Sequence, residues 1–135
     1  MHIPKQVAAA VVIRAGRILL AQRRFDDRLG GYWEFPGGKI EPGESAEDCL
    51  VREFQEEFAM AIQPLHFLAR SDHSYELGAV ELYAYWARSL SEPVELNAHE
   101  QYRWLLPEEI PLFHLAPADV PLIERILSEG LPFTN

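Results

Sequence analysis

The sequence predicts a mixed α/β fold, an α/β/α sandwich around a mixed β-sheet, and three observations predict it. Short β-rich runs fill both halves of the chain, a capped segment of helical period separates them, and a second helical segment follows the last run. With 135 residues and 48% hydrophobic content the chain holds enough apolar material for the core of one domain, assigned to residues 1–135.

The elements follow in order. VAAAVVI (7–13) and RILLAQR (17–23) are strand-like runs, and Arg14-Ala15-Gly16 between them predicts a hairpin turn. FDDRLGGYWEFPGG (25–38), rich in Gly, Pro and aromatic residues, reads as a binding loop; Tyr32, Trp33 and Phe35 are candidates to stack a base, with at least one left for the core. Ser45 begins a Ser-x-x-Asp cap with Asp48, and a helix is expected over 46–58. Further strands are expected at LHFLARSDHSY (65–75), AVELYAYWARS (79–89) and QYRWLL (101–106). In the second of these Val80, Leu82, Ala84 and Trp86 alternate with Glu81, Tyr83 and Tyr85. DVPLIERILSEG (119–130) predicts a final helix with Asp119 as its cap, Pro121 in the first turn and Gly130 after the last periodic residue.

Charge narrows the partners. Twelve basic and 21 acidic side chains give a net charge of −9, so the overall field repels duplex nucleic acid, and a phosphate-bearing ligand needs local cations. Cys49 is alone and cannot form an internal disulfide, which fits a reducing compartment. No apolar run approaches the roughly 20 residues that span a bilayer, and VAAAVVI is too short for a leader, so a cytoplasmic location without membrane contact is expected.

Residues 37–60, GGKIEPGESAEDCLVREFQEEFAM, hold seven Asp or Glu against two Lys or Arg. At helical spacing Glu53, Glu56 and Glu57 share one narrow sector beside the apolar stripe of Ala46, Leu50 and Phe54. Clustered carboxylates at the rim of buried surface repel unless a cation joins them, and a hard divalent cation with oxygen ligands suits them. A solvated acidic face is the other reading that composition leaves open. Gly37-Gly38 favours the cation, because backbone without a Cβ can approach a metal or phosphate. Gly37-Gly38-Lys39 itself lacks P-loop spacing, the five histidines lack paired zinc spacing, and Ser71-Asp72-His73-Ser74 has neither a nucleophile elbow nor one common face.

Gly38, Glu44, Arg52-Glu53-Phe54-Gln55-Glu56-Glu57 and Ala59-Met60, spread over residues 38–60, resemble the signature box of the Nudix hydrolases. WEFPGGKIEPGE (33–44) resembles the MutT branch, and NAHEQYRWL with LAPADVPLIERIL resembles its CTP pyrophosphohydrolase members. The resemblance implies a Nudix fold and hydrolysis of a nucleoside triphosphate to the monophosphate and diphosphate, on (d)CTP-type or oxidised nucleotides. Nucleotide sugars, dinucleoside polyphosphates and a nucleotide-sensing module without catalysis are the alternatives. It implies Mg²⁺, replaceable by Mn²⁺, on the Gly37 carbonyl, Glu53, Glu56 and Glu57, with Glu100 as a further ligand and Glu53 or Glu100 as base. It implies that Arg52 pairs with Glu44 to brace loop against helix, and that Arg23, Glu34, Phe35, Pro36, Gly37, Lys39 and Asp119 meet the nucleotide. A monomer or a homodimer is consistent with it. Two departures stand out. The family has glycine where this chain has Ala59, at a helix end where a left-handed residue costs about 1 kcal/mol. Enzymes that clear oxidised guanine carry asparagine where this chain has Asp119; an ionised aspartate only accepts hydrogen bonds, which suits cytosine N4 over guanine O6.

Overall fold

A computed structural model of the chain describes residues 3–76 and 78–133. Strands β1 (Lys5–Arg14) and β2 (Arg17–Arg23) form the expected hairpin. Its turn residues, Ala15 (φ 50°) and Gly16 (φ 74°), are both left-handed, which matches the twist of the flanking strands. β3 (Trp33–Glu34) and β4 (Gly37–Lys39) are short strands inside the segment expected to be a loop. Helix α1 (Ala46–Phe58) has the expected bounds; Ser45 Oγ accepts the Asp48 amide at 3.0 Å. β5 (Ile62–Tyr75) starts three residues before the expected run, β6 (Gly78–Ser89) one before, and β7 (His99–Leu105) two before. Helix α2 (Val120–Glu129) follows a short 3-10 turn at Pro117–Asp119.

The seven strands form one sheet in the order β3-β2-β1-β6-β5, with β4 also on β1 and β7 also on β2. β1 runs parallel to β6 and antiparallel to β2 and β4, so the sheet is mixed. The continuous apolar run of β1 reflects burial on both faces. Ala9, Val11 and Ile13 face the layer of α2, packed with Leu122, Ile123 and Ile126, while Ala8, Ala10 and Val12 face α1 through Leu50, Phe54 and Phe58. This is the α/β/α sandwich. Pro64 sits in β5, an edge strand, and the pairing with β6 shifts register directly after it, between Pro64 and Phe67.

One edge of β1 is divided. Near its end it pairs with β2 through Ile13 and Arg14, and near its start with β4 through Val7, Ala8 and Ala9. β2 pairs with β7 along its other edge, and past Ile18 the edge that faced β1 pairs with β3, which leads into β4 and the site.

The end of α1 departs from the usual glycine. Ala59 lies at φ 50° and ψ 47°, its amide donates to Gln55 O at 3.1 Å, and the Met60 amide donates to Phe54 O at 3.3 Å. The helix therefore ends as a glycine would end it, at the cost of a strained alanine. At α2 the expected cap is absent: Asp119 occupies the N-cap position but makes no side-chain cap bond, because its carboxylate is engaged elsewhere.

Candidate active site

The acids of α1 lie over the two glycines of β4. A Cβ on Gly38 would run into the Glu53 carboxylate, and one on Gly37 into the Ala8 carbonyl oxygen. Gly37 is therefore held to glycine by the close approach of the β1 backbone, and Gly38 by the Glu53 side chain that lies over it. Arg52 ties the loop to the helix as expected: Nε and Nη2 fork onto Glu44 at 2.7 and 2.9 Å, and Nη2 also donates to the Lys39 carbonyl at 3.2 Å. Its Nη1 donates to Glu53 Oε1 at 2.8 Å and Glu56 Oε2 at 3.3 Å. The guanidinium hydrogen bonds hold the Glu44 carboxyl at about 2.

Burial pushes the Glu53 carboxyl above its usual range despite Arg52. It pushes Glu57 further, to about 9, with Glu53 and Glu34 adding repulsion. Glu57 Oε1 is buried and has no hydrogen-bond partner. Such an atom, in a cluster of like charge, fits a hard cation, and so does the all-oxygen donor set. Among the described residues no three acidic, histidine or cysteine side chains form a closed metal cage; Glu53 and Glu56 turn to Arg52.

Glu57 also lines a cavity of about 510 Å³, which joins the acidic helix to the remaining expected residues. Arg23, Glu34, Phe35, Gly37, Lys39 and Asp119 all line it. Pro36 does not; it is buried, and its carbonyl accepts the Ala10 amide at 2.9 Å, which fixes the loop to β1. Glu100 lies outside the cavity wall, exposed, where it accepts the Phe25 amide at 3.1 Å and holds the loop after β2.

A hydrogen-bonded chain crosses the cavity wall. Arg23 donates to Asp27 at 3.1 Å, to the Arg28 carbonyl at 2.7 Å and to Glu34 Oε1 at 2.9 Å. Glu34 Oε2 lies 2.8 Å from His99 Nε2, and the His99 ring stacks on Phe58 of α1 at 5.2 Å with an 8° interplanar angle. The last turn of the acidic helix is thereby tied to the wall of the cavity. Nothing in the sequence singled out His99 beyond its place beside Glu100.

Two expectations need correction. Asp119 is only 5% exposed, and its Oδ2 accepts the Phe35 amide at 3.1 Å. Burial, reinforced by Glu34, pushes its carboxyl well above the usual range, which works against the ionised, acceptor-only form that was expected. Ser71 Oγ donates to the Ala118 carbonyl at 2.8 Å and anchors the turn that presents Asp119, a structural use of the serine. The second correction concerns Tyr32, since one of the three aromatics was expected in the core and Trp33 takes that place. Trp33 packs edge-on to Phe113 in the core, and Tyr32 lies against His114, 4.1 Å between centroids, so neither lines the cavity. Phe35 lines it but is 2% exposed. Tyr75, at the end of β5 with the Arg28 guanidinium 5.6 Å over its ring, is the aromatic the sequence reading missed. Cys49 is buried, its thiol pushed up to about 12 by burial, and packs against the Gly38 and Lys39 carbonyls.

No helix among the described residues is long and apolar enough to cross a membrane.

The chain is 36% identical over 123 residues to the CTP pyrophosphohydrolase of Escherichia coli K12, covering 91% of each chain. It is 29% identical over 126 residues to the 8-oxo-dGTP diphosphatase of Haemophilus influenzae, covering 92% of each. A solution structure of the E. coli ORF135 protein superposes with a TM-score of 0.82 at 33% identity, covering 97% of this chain and 95% of that one. The MutT protein of methicillin-resistant Staphylococcus aureus superposes with a TM-score of 0.77 at 34% identity, covering 96% and 100%. The NUDIX domain matches residues 4–126, and on that match, with pyrophosphohydrolases among its relatives, the chain belongs to the Nudix family as a hydrolase of phosphoric anhydrides.

Proposed function

We propose that the chain is a cytoplasmic nucleoside triphosphate pyrophosphohydrolase, which converts NTP and water to NMP and diphosphate and acts on (d)CTP-type or oxidised nucleotides. Nudix hydrolases act on small nucleotide substrates and generally need a divalent metal. The observation that carries the reading is the position of Glu57, shared between the acidic sector of α1 and a cavity whose wall includes Asp119.

Glu53, Glu56 and Glu57, with the Gly37 carbonyl, are the residues that would hold Mg²⁺, or Mn²⁺ in its place. A bound ion would supply charge neutralisation on the phosphates and lower the pKa of the attacking water. Arg52 holds Glu53 by Oε1, and Oε2 would be the atom that takes a proton from water. The raised proton affinity of Glu53 suits this role. Glu100, the alternative base, is exposed and occupied by the Phe25 amide, so Glu53 has the better support. Gly37-Gly38 lets phosphate oxygens reach the backbone, and Lys39 at the cavity rim offsets their charge.

At the other end Tyr75 and Asp119 meet the base, and the chain from Asp27 through Arg23 and Glu34 to His99 keeps that wall rigid. Similarity to a CTP pyrophosphohydrolase supports cytidine nucleotides. The raised Asp119 carboxyl, which donates as well as accepts while it is protonated, supports oxidised guanine as a second substrate. The test is kcat/KM with Mg²⁺ for canonical, methylated and oxidised nucleoside triphosphates beside nucleotide sugars and dinucleoside polyphosphates. Highest values on (d)CTP-type or oxidised triphosphates support the proposal, and highest values on a nucleotide sugar overturn it.

A further inference from the structure

The last turn of α1 is held from outside the helix. The left-handed Ala59 turns the chain away, so the amides that would have continued the helical ladder go elsewhere. The Met60 amide donates to Phe54 O at 3.3 Å and the Ala61 amide to Ser91 Oγ at 2.9 Å. The carbonyls of Glu56, Glu57 and Phe58 are left for other donors, and the segment between β6 and β7 supplies them. The Val94 and Glu95 amides donate to Phe58 O at 2.9 and 3.0 Å. Asn97 takes the other two carbonyls: its Nδ2 donates to Glu56 O at 2.9 Å and its backbone amide to Glu57 O at 2.9 Å.

Those two carbonyls belong to the peptide planes on either side of the Glu57 Cα. A peptide unit is planar, so holding both planes fixes the two backbone dihedrals of Glu57, and with them the direction in which its side chain leaves the helix. Glu57 is the acid that lines the cavity and whose buried Oε1 has no partner. Ala98 and His99, directly after Asn97, line the same cavity, so one short segment both grips the acid and forms part of the wall. The side-chain amide is matched to its place. Nδ2 meets two acceptors, Glu56 O and Glu95 Oε2 at 2.7 Å, and has one hydrogen for each. An aspartate there would set oxygen against both.

We infer that Asn97 is a positioning residue for the proposed hydrolysis: it aims the Glu57 carboxylate at the place where the divalent ion would sit, and touches neither ion nor substrate itself. The inference rests on the proposed function for the ion at Glu57. Groups that orient a metal ligand are commonly worth about 10- to 100-fold in metal affinity, and Asn97, which acts through the backbone, belongs at the lower end.

Binding of Mn²⁺ to the full chain without nucleotide is measured by electron paramagnetic resonance, which counts the free ion, for wild type, Asn97→Asp, Asn97→Ala, Asn97→Gln and Ser45→Ala. Asn97→Asp should raise the Mn²⁺ Kd about tenfold and Asn97→Ala about fivefold, while Asn97→Gln, which keeps an amide donor, should stay within about twofold of wild type. The negative charge that Asn97→Asp adds would by itself draw a cation, so a loss of affinity reports the lost donor. Ser45→Ala removes the cap at the other end of the same helix and should lower Tm by about 4 °C with Kd unchanged. Wild-type affinity in both Asn97→Asp and Asn97→Ala overturns the inference, and so does a Kd that rises as far in Ser45→Ala as in Asn97→Ala, because general helix stability would then explain it. A wild type that binds no Mn²⁺ overturns the inference together with the proposed metal site. A wild type that binds Mn²⁺ but releases no diphosphate from any triphosphate removes the proposed function alone, and the Kd series still decides the role of Asn97.

Discussion

Replacing Glu57 with glutamine should raise the stability of the metal-free protein while abolishing its turnover. In the metal-free fold burial holds the Glu57 carboxyl at about 9, against an ordinary value of 4.5. A carboxyl whose folded value is raised stays protonated in the native state while the unfolded chain ionises. Its cost is therefore nil below about pH 4.5, grows through neutrality, and levels off above about pH 9. Each pH unit in that window costs about 1.4 kcal/mol, which makes about 3 kcal/mol at pH 7. Glutamine keeps the shape and cannot ionise, so in EDTA the variant should melt about 10 °C above wild type at pH 7 and level with it near pH 4. With Mg²⁺ the wild type should gain stability while the variant gains little, and kcat should fall by about three orders of magnitude or more for loss of a metal-binding charge. Differential scanning fluorimetry from pH 4 to 9, with and without Mg²⁺, measures both effects. A variant that tracks wild type at every pH, or that keeps near-wild-type turnover in saturating Mg²⁺, would refute the reasoning.

Three further outcomes are expected. Ala59→Gly relieves about 1–2 kcal/mol of left-handed strain and gives back about 0.4–1 to the freer unfolded chain, for a net gain of about 0.5–1 kcal/mol, visible as a small rise in Tm; an unchanged Tm would show that the strain is not there. Gly38→Ala pushes a methyl into the movable Glu53 carboxylate, whereas Gly37→Ala meets fixed backbone at Ala8, so the first should lose activity with little change in Tm and the second should lose about 1–3 kcal/mol or more; equal Tm losses would contradict this. Because the raised Asp119 carboxyl donates only while protonated, the 8-oxo-dGTP over dCTP ratio of kcat/KM should fall as pH rises, and should stay flat in Asp119→Asn; parallel profiles would remove Asp119 from base selection.

The acidic-helix end of the candidate site was legible in the sequence and the far wall of the cavity was not, for a physical reason. Glu53, Glu56 and Glu57 are neighbours by helical period, Arg52 reaches Glu44 across one loop, and Ser45 caps the same helix, so short-range geometry carries the whole cluster. Even the left-handed Ala59 could be expected from its place after the helix. Along the far wall of the cavity, contacts join distant segments. Glu34 meets His99 across 65 positions and Asp119 meets Phe35 across 84. Read locally, Asp119 before a helix is an ionised cap; the fold buries it and gives it the Phe35 amide instead. Tyr32 reads as a stacking residue because it is aromatic in a loop, yet His114 takes it; Trp33 fills the core place expected for one of the three aromatics, and β5 brings Tyr75 to the cavity. The short strand β4 was hidden for a similar reason: Gly-Gly-Lys has no strand propensity of its own and pairs because β1 leaves that edge open.

The central claim, that the carboxylates of α1 and the adjoining cavity split a nucleoside triphosphate into monophosphate and diphosphate, is tested most directly by the identity of the products. Phosphorus NMR of dCTP and 8-oxo-dGTP incubated with the protein and Mg²⁺ should show the monophosphate and diphosphate appearing in equal amounts. Turnover should stop in EDTA and be almost absent in Glu57→Gln. Release of orthophosphate with accumulation of the nucleoside diphosphate, or turnover that survives both EDTA and Glu57→Gln, would contradict the account.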